Sequence, residues 1–282
     1  MKKILIIANP FSGTPQGRFG PEGVAREIRG AGHEVAVAWT VGPNHATALA
    51  AAGSKTHDMV VAKGGDGTVH EVACGLVGTG CPMAVIAAGS GNDFARGIGC
   101  HRPEQGLDAI LNGRDTEVDA CELDGRTFVN SLGLLASGLV SNRAATLWRR
   151  FGGARYTLAA VRTIVDYHGQ DVTWRIPGHG DGSVLEGRFF FTEICNGPFT
   201  GGGFRFGPDA SLVDGQMDVC LIRPVGPVTG LRLLPKATRG ERVEHEKIEQ
   251  IRCAELTFDS PEPVAYHLDG EAGWLAPGRH HV

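Results

Sequence analysis

Asp58-Met59-Val60-Val61-Ala62-Lys63-Gly64-Gly65-Asp66-Gly67-Thr68-Val69-His70-Glu71-Val72-Ala73 is the stretch whose reading decides the fold. It opens on a branched, continuous apolar run, Asp58–Lys63, the pattern of a strand buried on both faces. A glycine loop follows. The period then changes, and Val69, Val72, Ala73 and Leu76 fall on one face of a helix expected over Thr68–Val77. Working outward, the same alternation recurs. Lys3–Asn9, Val35–Thr40 and Met83–Ala88 read as further buried strands, and Glu22–Arg29, Ala46–Ala52, Asn92–Ile98 and Pro103–Leu111 as helices. Strand–helix alternation of this kind predicts a parallel, doubly wound α/β layer structure.

From about Glu117 the texture changes. Thr127–Leu132, Val172–Ile176, Arg188–Cys195, Gln216–Arg223 and Glu255–Phe258 read as strands separated by Gly, Asp and Pro turns. Only Ala144–Asp166, interrupted by Gly152-Gly153, and a stretch near Val228–Leu234 read as helical, so a second, mostly β domain is expected. The 282 residues suit two domains. The formal charge of −4, with 42% hydrophobic and 21% charged residues, excludes a disordered chain, a coiled coil and a strongly basic nucleic-acid binder.

Seven widely spread cysteines with no C-x-x-C pair suit a reducing cytosol. Met1–Ala8 mimics a signal peptide, but Asn9-Pro10 cuts its apolar run short. No run approaches the roughly 18 apolar residues of a membrane span. The expectation is therefore a cytoplasmic protein, able to touch a membrane as a peripheral one.

Glycine is the compositional outlier, 42 residues in all. Three glycine-bearing loops each follow an expected strand: Asn9-Pro10-Phe11-Ser12-Gly13, Gly64-Gly65-Asp66-Gly67-Thr68 and Gly89-Ser90-Gly91-Asn92-Asp93. In open α/β sheets the carboxyl ends of the strands form the ligand crevice, and N–H groups at a helix N-terminus receive phosphate. Neither G-x-x-x-x-G-K-[ST] nor G-x-G-x-x-G after the first strand is present, which disfavours a P-loop enzyme or a Rossmann dehydrogenase. His70-Glu71-Val72-Ala73-Cys74 nearly spells a zinc-protease motif, but with Cys74 in place of the second His it reads as the first turns of a helix.

Asn9-Pro10-x-Ser12-Gly13, Gly64–Val69 with Glu71-Val72, and Gly89–Arg96 together resemble the diacylglycerol kinase catalytic-domain family of lipid kinases. The resemblance continues through Asn196-Gly197-Pro198, Gly201–Phe204 and Pro208–Val219, and ends at Asp269-Gly270-Glu271. It implies an N-terminal α/β domain, a C-terminal β-sandwich, and transfer of the γ-phosphoryl group of ATP to a lipid hydroxyl with Mg²⁺. It implies a nucleotide-binding domain over 1–122, joined by the tail 273–282, and a lipid-substrate domain over 123–272. Carried over by position, Thr40, Gly64, Gly65, Asp66, Gly67, Thr68 and Ser90 are nucleotide contacts. Ser211, Asp214 and Gln216 form a structural Mg²⁺ loop, Ser211 and Gln216 through backbone carbonyls. Asp66, Asp93, Asp119 and Asp269 match acidic positions linked with Mg²⁺ and water, and Glu271 matches the general base, so Glu271, Asp269 and Asp66 are the expected catalytic residues.

These roles agree with the chemistry, because phosphoryl transfer needs phosphate donors, charge neutralisation and a group that orients the hydroxyl. Each acid also has a plainer reading: Asp214-Gly215 is a common turn, and Asp269-Gly270 suits a hairpin tip. The chain departs from the family in placing His70 where Asn is usual and Ser90 where Thr is usual, and only eleven residues follow Glu271.

Arg143, Arg149, Arg150, Arg155 and Arg162, interleaved with Leu147, Trp148, Phe151, Tyr156 and Leu158, form a basic stretch that suits an anionic lipid surface or an ordinary solvated helix. Expected partners are a lipid substrate at a membrane surface and no nucleic acid, with a homodimer left open. Two rival readings stay open: an NAD kinase-like phosphotransferase, and a nucleotide- or lipid-binding regulator without catalysis.

Overall fold

In the first unit, Met1–Val118, strands β1 (Lys3–Ala8), β2 (Glu34–Trp39), β3 (Met59–Gly64) and β4 (Met83–Ala87) form a parallel sheet in the order β2-β1-β3-β4. The inner strands β1 and β3 are buried along almost their whole length, as their unbroken apolar runs require, while the edge strand β2 alternates. Helices α1 (Pro21–Gly30), α2 (His45–Gly53), α3 (Asp66–Leu76), α4 (Asp93–Gly97) and α5 (Pro103–Asn112) complete the expected winding. One face of the sheet packs Ile4, Ile6, Met59, Val61 and Ile86 against Val24 and Ile28 of α1 and Leu107 and Ile110 of α5. On the other face Gly53 of α2 sits against Leu5 and Val60. The chain turns one way from β1 to β2 and the other way to β3. The switch point therefore lies at the carboxyl ends of β1 and β3.

The computed structural model describes residues 1–13, 17–147, 154–179, 184–239, 241 and 245–282. Trp148, Arg149, Arg150, Phe151, Gly152 and Gly153 of the basic stretch lie outside the described residues.

The second unit, Asp119–Val282, is mostly antiparallel sheet. β7 (Ser131–Leu135), β10 (Phe191–Cys195), β11 (Met217–Ile222), β12 (Ile248–Cys253), β14 (Val264–Leu268) and β15 (Glu271–Leu275) form one sheet in the order β12-β11-β10-β7-β14-β15. β8 (Gln170–Arg175), β9 (Val184–Phe189), β13 (Thr257–Ser260) and β16 (Gly278–His281) form a second, β16-β13-β8-β9, and β5 (Cys121–Leu123) pairs β6 (Arg126–Phe128). Leu132, Leu134, Ile194 and Val219 of the first sheet meet Trp174, Phe189 and Phe258 of the second in one core, a sandwich. Helices α6 (Ala136–Thr146), α7 (Ala154–Asp166) and α8 (Pro227–Thr238) complete the unit.

One expectation is corrected. Arg188–Cys195 is not one strand: β9 ends at Phe189, β10 starts at Phe191, and the two belong to different sheets. Asp119, the first residue of the second unit, donates its N–H to the Leu212 carbonyl at 2.7 Å. In the tail 273–282, β15 pairs with β14 and β16 with β13, which satisfies its backbone groups inside the second unit.

Candidate active site

The three glycine loops lie at the carboxyl ends of β1, β3 and β4. Asn9 ties the first to the second by donating Nδ2–H to Thr68 Oγ1 at 3.2 Å, and Ser12 Oγ–H bonds back to the Asn9 carbonyl at 2.7 Å. The second and third loops touch backbone to backbone. A Cβ on Gly65 would lie 3.0 Å from the Gly89 Cα, and one on Gly89 only 2.6 Å from the Gly65 Cα. A Cβ on Gly64 would lie 2.5 Å from the Thr68 side chain. Glycine is needed there for close approach rather than for a left-handed backbone.

Asp66 clamps this pair of loops. Its Oδ1 accepts the Asp93 N–H at 2.7 Å and its Oδ2 the Asn92 N–H at 2.8 Å. Asn92, in the left-handed region at φ 56, bonds both the N–H and the carbonyl of Gly89 at 2.9 Å. Asp66 also begins α3, so the first N–H groups of that helix have no partner within it and face outward from its positive dipole end. The result is a rigid, donor-rich cradle. Thr40, buried after β2, donates its N–H to Ala8 at 2.9 Å, and Ser90 is exposed at the turn of the third loop. The Glu71 carboxylate accepts the Ala46 N–H at 2.9 Å and fastens the start of α2.

Nothing in the sequence singled out Lys63. It ends β3 beside Ala8 and Ile86, is 0% exposed, and its Nζ has no hydrogen-bond partner among the described residues. Burial pushes its ammonium down to about 8. The residue sits one position before the cradle.

In the second unit, Asp269 and Gly270 carry φ of 49 and 92, a two-residue hairpin turn between β14 and β15. The Asp269 carboxylate accepts N–H bonds from Val129, Asn130 and Ser131 at 2.9, 2.8 and 2.8 Å, which anchors the hairpin to the start of β7. Glu271 opens the edge strand β15 opposite Leu268 and is exposed. A buried polar cluster supports the turn. The Gly270 N–H donates to His267 Nδ1 at 3.3 Å, while His267 Nε2 lies 3.6 Å from Glu193. Burial opposes ionisation of Glu193, but His267 and hydrogen bonds from His267, Ser137 and Thr200 hold it below the usual carboxylate range. Gly133 has no side chain because His267 and Ser137 fill that space.

The residues implied to hold Mg²⁺ are already engaged. Asp214 accepts the Gln216 N–H at 3.0 Å on one oxygen and pairs through the other with the Arg252 guanidinium, so a cation from the protein stands at this carboxylate. Asp119 accepts the Gly215 N–H at 2.7 Å. Among the described residues no three His, Cys, Asp or Glu side chains come together to hold a metal ion. As folded, this donor set does not fit a metal centre.

Behind β10 and β11, a cavity of about 120 Å³ is walled by Val140, Ile164, Phe190, Phe191, Phe206 and Ile222 among others. Its lining is almost wholly apolar, and it lies within the second unit.

Comparison with known proteins matches the family described as "Diacylglycerol kinase catalytic domain" over residues 3–123. It matches "YegS C-terminal NAD kinase beta sandwich-like domain" over residues 131–282. The chain belongs to the diacylglycerol kinase-like family of lipid kinases. It is 28% identical over 284 residues to a Bacillus subtilis "Diacylglycerol kinase", covering 99% of this chain and 92% of that one. It is 30% identical over 250 residues to a Pseudomonas aeruginosa "Probable lipid kinase YegS-like", covering 86% and 80%. A crystal structure of a diacylglycerol kinase from Bacillus anthracis superposes with a TM-score of 0.72 at 21% identity, covering 99% of this chain and 92% of that chain, and shows the same fold.

Proposed function

We propose that this protein is an ATP-dependent kinase that phosphorylates a hydroxyl of a lipid such as diacylglycerol. The observation that carries this reading is the apolar cavity of the second unit. Its aromatic and aliphatic wall suits an acyl chain and offers little to the ribose and phosphates of NAD, which disfavours the NAD kinase-like rival. The cradle supports the donor side. The N–H groups at the start of α3, with Thr40, Gly64, Gly65, Gly67, Thr68 and Ser90 around them, suit a chain of phosphates.

The proposed roles follow from the contacts. Asp66 keeps the Gly64–Thr68 and Gly89–Asp93 loops in one arrangement, so its contribution to catalysis is to hold the phosphate donors. Asp269 holds the hairpin that presents Glu271. Glu271 accepts the proton of the lipid hydroxyl while that oxygen attacks the γ-phosphorus, and the electron pair of the broken P–O bond leaves with ADP. Mg²⁺ would enter with the ATP phosphates and neutralise their charge.

The test is transfer of radiolabelled phosphate from ATP to diacylglycerol, ceramide, sphingosine, phosphatidylglycerol and NAD. Labelled lipid is the expected product. Transfer to NAD alone would refute the lipid-kinase reading, and ATP binding without any transfer would establish the regulator instead.

A further inference from the structure

Three neighbouring strands of the second unit place Glu193 of β10 and His267 of β14 on either side of Gly133 of β7. A Cβ on Gly133 would run into His267 Nε2 and Ser137 Oγ, so the glycine leaves the gap across which these side chains meet. Ser137 comes from the first turn of α6 and Thr200 from the chain after β10. All four polar side chains are buried.

The donors run in one direction. A backbone amide can only donate, so the Gly270 N–H makes His267 Nδ1 an acceptor at 3.3 Å and leaves the ring proton on Nε2. Ser137 Oγ, 3.1 Å away, accepts from Nε2 and donates its own hydrogen to Glu193 Oε2 at 2.6 Å. The other Glu193 oxygen accepts the Thr200 hydroxyl at 2.8 Å, which turns the Ser131 hydroxyl toward Thr200 at 2.9 Å. Ser131 also donates its N–H to Asp269 at 2.8 Å. The cluster therefore grips both turn residues ahead of Glu271. Stability is a poor reason for it, because buried ionised groups are often replaceable by apolar side chains without loss. What it supplies is direction, since a chain of hydrogen bonds anchored on a carboxylate admits one arrangement of protons.

We propose that Glu193, Ser137 and His267 are positioning residues for the base. The chain anchored at Glu193 holds the His267 ring in one tautomer, the ring holds the Gly270 amide, and Glu271 leaves the hairpin in one direction. With the ring proton on Nδ1, two donors would face each other and the tip would lose this hold. The inference rests on the reading of Glu271 as the group that accepts the proton of the lipid hydroxyl.

Nitrogen-15 NMR of histidine-labelled protein reads the tautomer without ATP or lipid, with His267→Asn assigning the signal. The Nε2–H form is expected, and an Nδ1–H or doubly protonated ring overturns the proposal. Glu193→Met keeps the unbranched stem and removes the anchor, so the proton should divide between the two nitrogens; an unchanged ring overturns the proposal too. In kinetics, His267→Phe keeps a ring but no acceptor, and kcat toward diacylglycerol should fall roughly tenfold with KM for ATP nearly unchanged. His267→Asn, whose Oδ1 falls near the place of Nδ1, should recover most of that rate. On a Glu271→Gln background His267→Phe should change nothing further, because the chain acts through that carboxylate. An equal loss on both backgrounds, or no recovery in His267→Asn, overturns the positioning role. Wild-type protein with the expected tautomer but no lipid transfer would remove the base role of Glu271 and the proposal with it. Lipid transfer with the other tautomer removes the proposal and leaves the lipid-kinase reading standing.

Discussion

Lys63→Met should make this protein more stable, and the size of the gain follows from where the ammonium lies. Lys63 is fully buried on an inner strand without a hydrogen-bond partner among the described residues, and burial lowers its pKa from 10.5 to about 8. At pH 7 both the folded and the unfolded chain hold the proton, so the folded state carries the whole cost of the buried charge. Between pH 8 and 10.5 the folded lysine is neutral while the unfolded chain still binds the proton, and stability climbs with pH. The slope is about 1.4 kcal/mol per pH unit, and the span amounts to about 3 kcal/mol. Methionine keeps the unbranched stem and removes the charge. The variant should therefore gain about 3 kcal/mol at pH 7, on the order of 10 °C in melting temperature, and lose the alkaline rise. Scanning calorimetry of both proteins at pH 7, 8.5 and 10 measures this. Parallel pH profiles, or a variant less stable than the parent at pH 7, would refute the reasoning and show that Lys63 has a compensating partner in solution.

Other expectations concern the glycine cradle of the first unit and the proposed residues of the second. Glu271→Gln keeps the size but removes the basicity, so kcat should fall by about 10²–10⁴ with ATP affinity nearly unchanged; a near-normal kcat sinks the assignment. Gly65→Val forces a branched side chain against the Gly89 backbone, where even a Cβ would lie 3.0 Å away. Calorimetry should show ATP binding lost in a folded protein, and unchanged affinity would remove the cradle from the nucleotide site. Asp214→Ala breaks a partly exposed pair with Arg252 and should cost about 1 kcal/mol or less. If Mg²⁺ raises the melting temperature of the parent and not of this variant, the ion displaces Arg252 and the metal-loop assignment returns.

The α/β unit was legible in the chain because its signals are local. A buried parallel strand must be a continuous apolar run, a helix must show its own period, and a glycine at a close backbone approach has no substitute. Asp58–Lys63, Gly64–Thr68 and Thr68–Val77 carry all three within a few residues of one another. The same locality made the Asp269-Gly270 hairpin tip readable, since both positions take positive φ. The second unit was less legible. Its pairing is long-range, so the division of Arg188–Cys195 between two sheets, and the return of β15 and β16 to β14 and β13, depend on partners that no window contains.

What tertiary structure alone decided is the use made of each charge. Asp66 and Asp269 stand in the sequence as acids fit for metal, yet folding surrounds their oxygens with the N–H groups of residues 92–93 and 129–131. Asp214 finds Arg252, and Lys63 Nζ finds no hydrogen-bond partner among the described residues. A side chain's type is written in the chain, but its electrostatic work is set by the few ångströms around it. Those are supplied by segments that are distant in sequence and adjacent only once the sheets have formed.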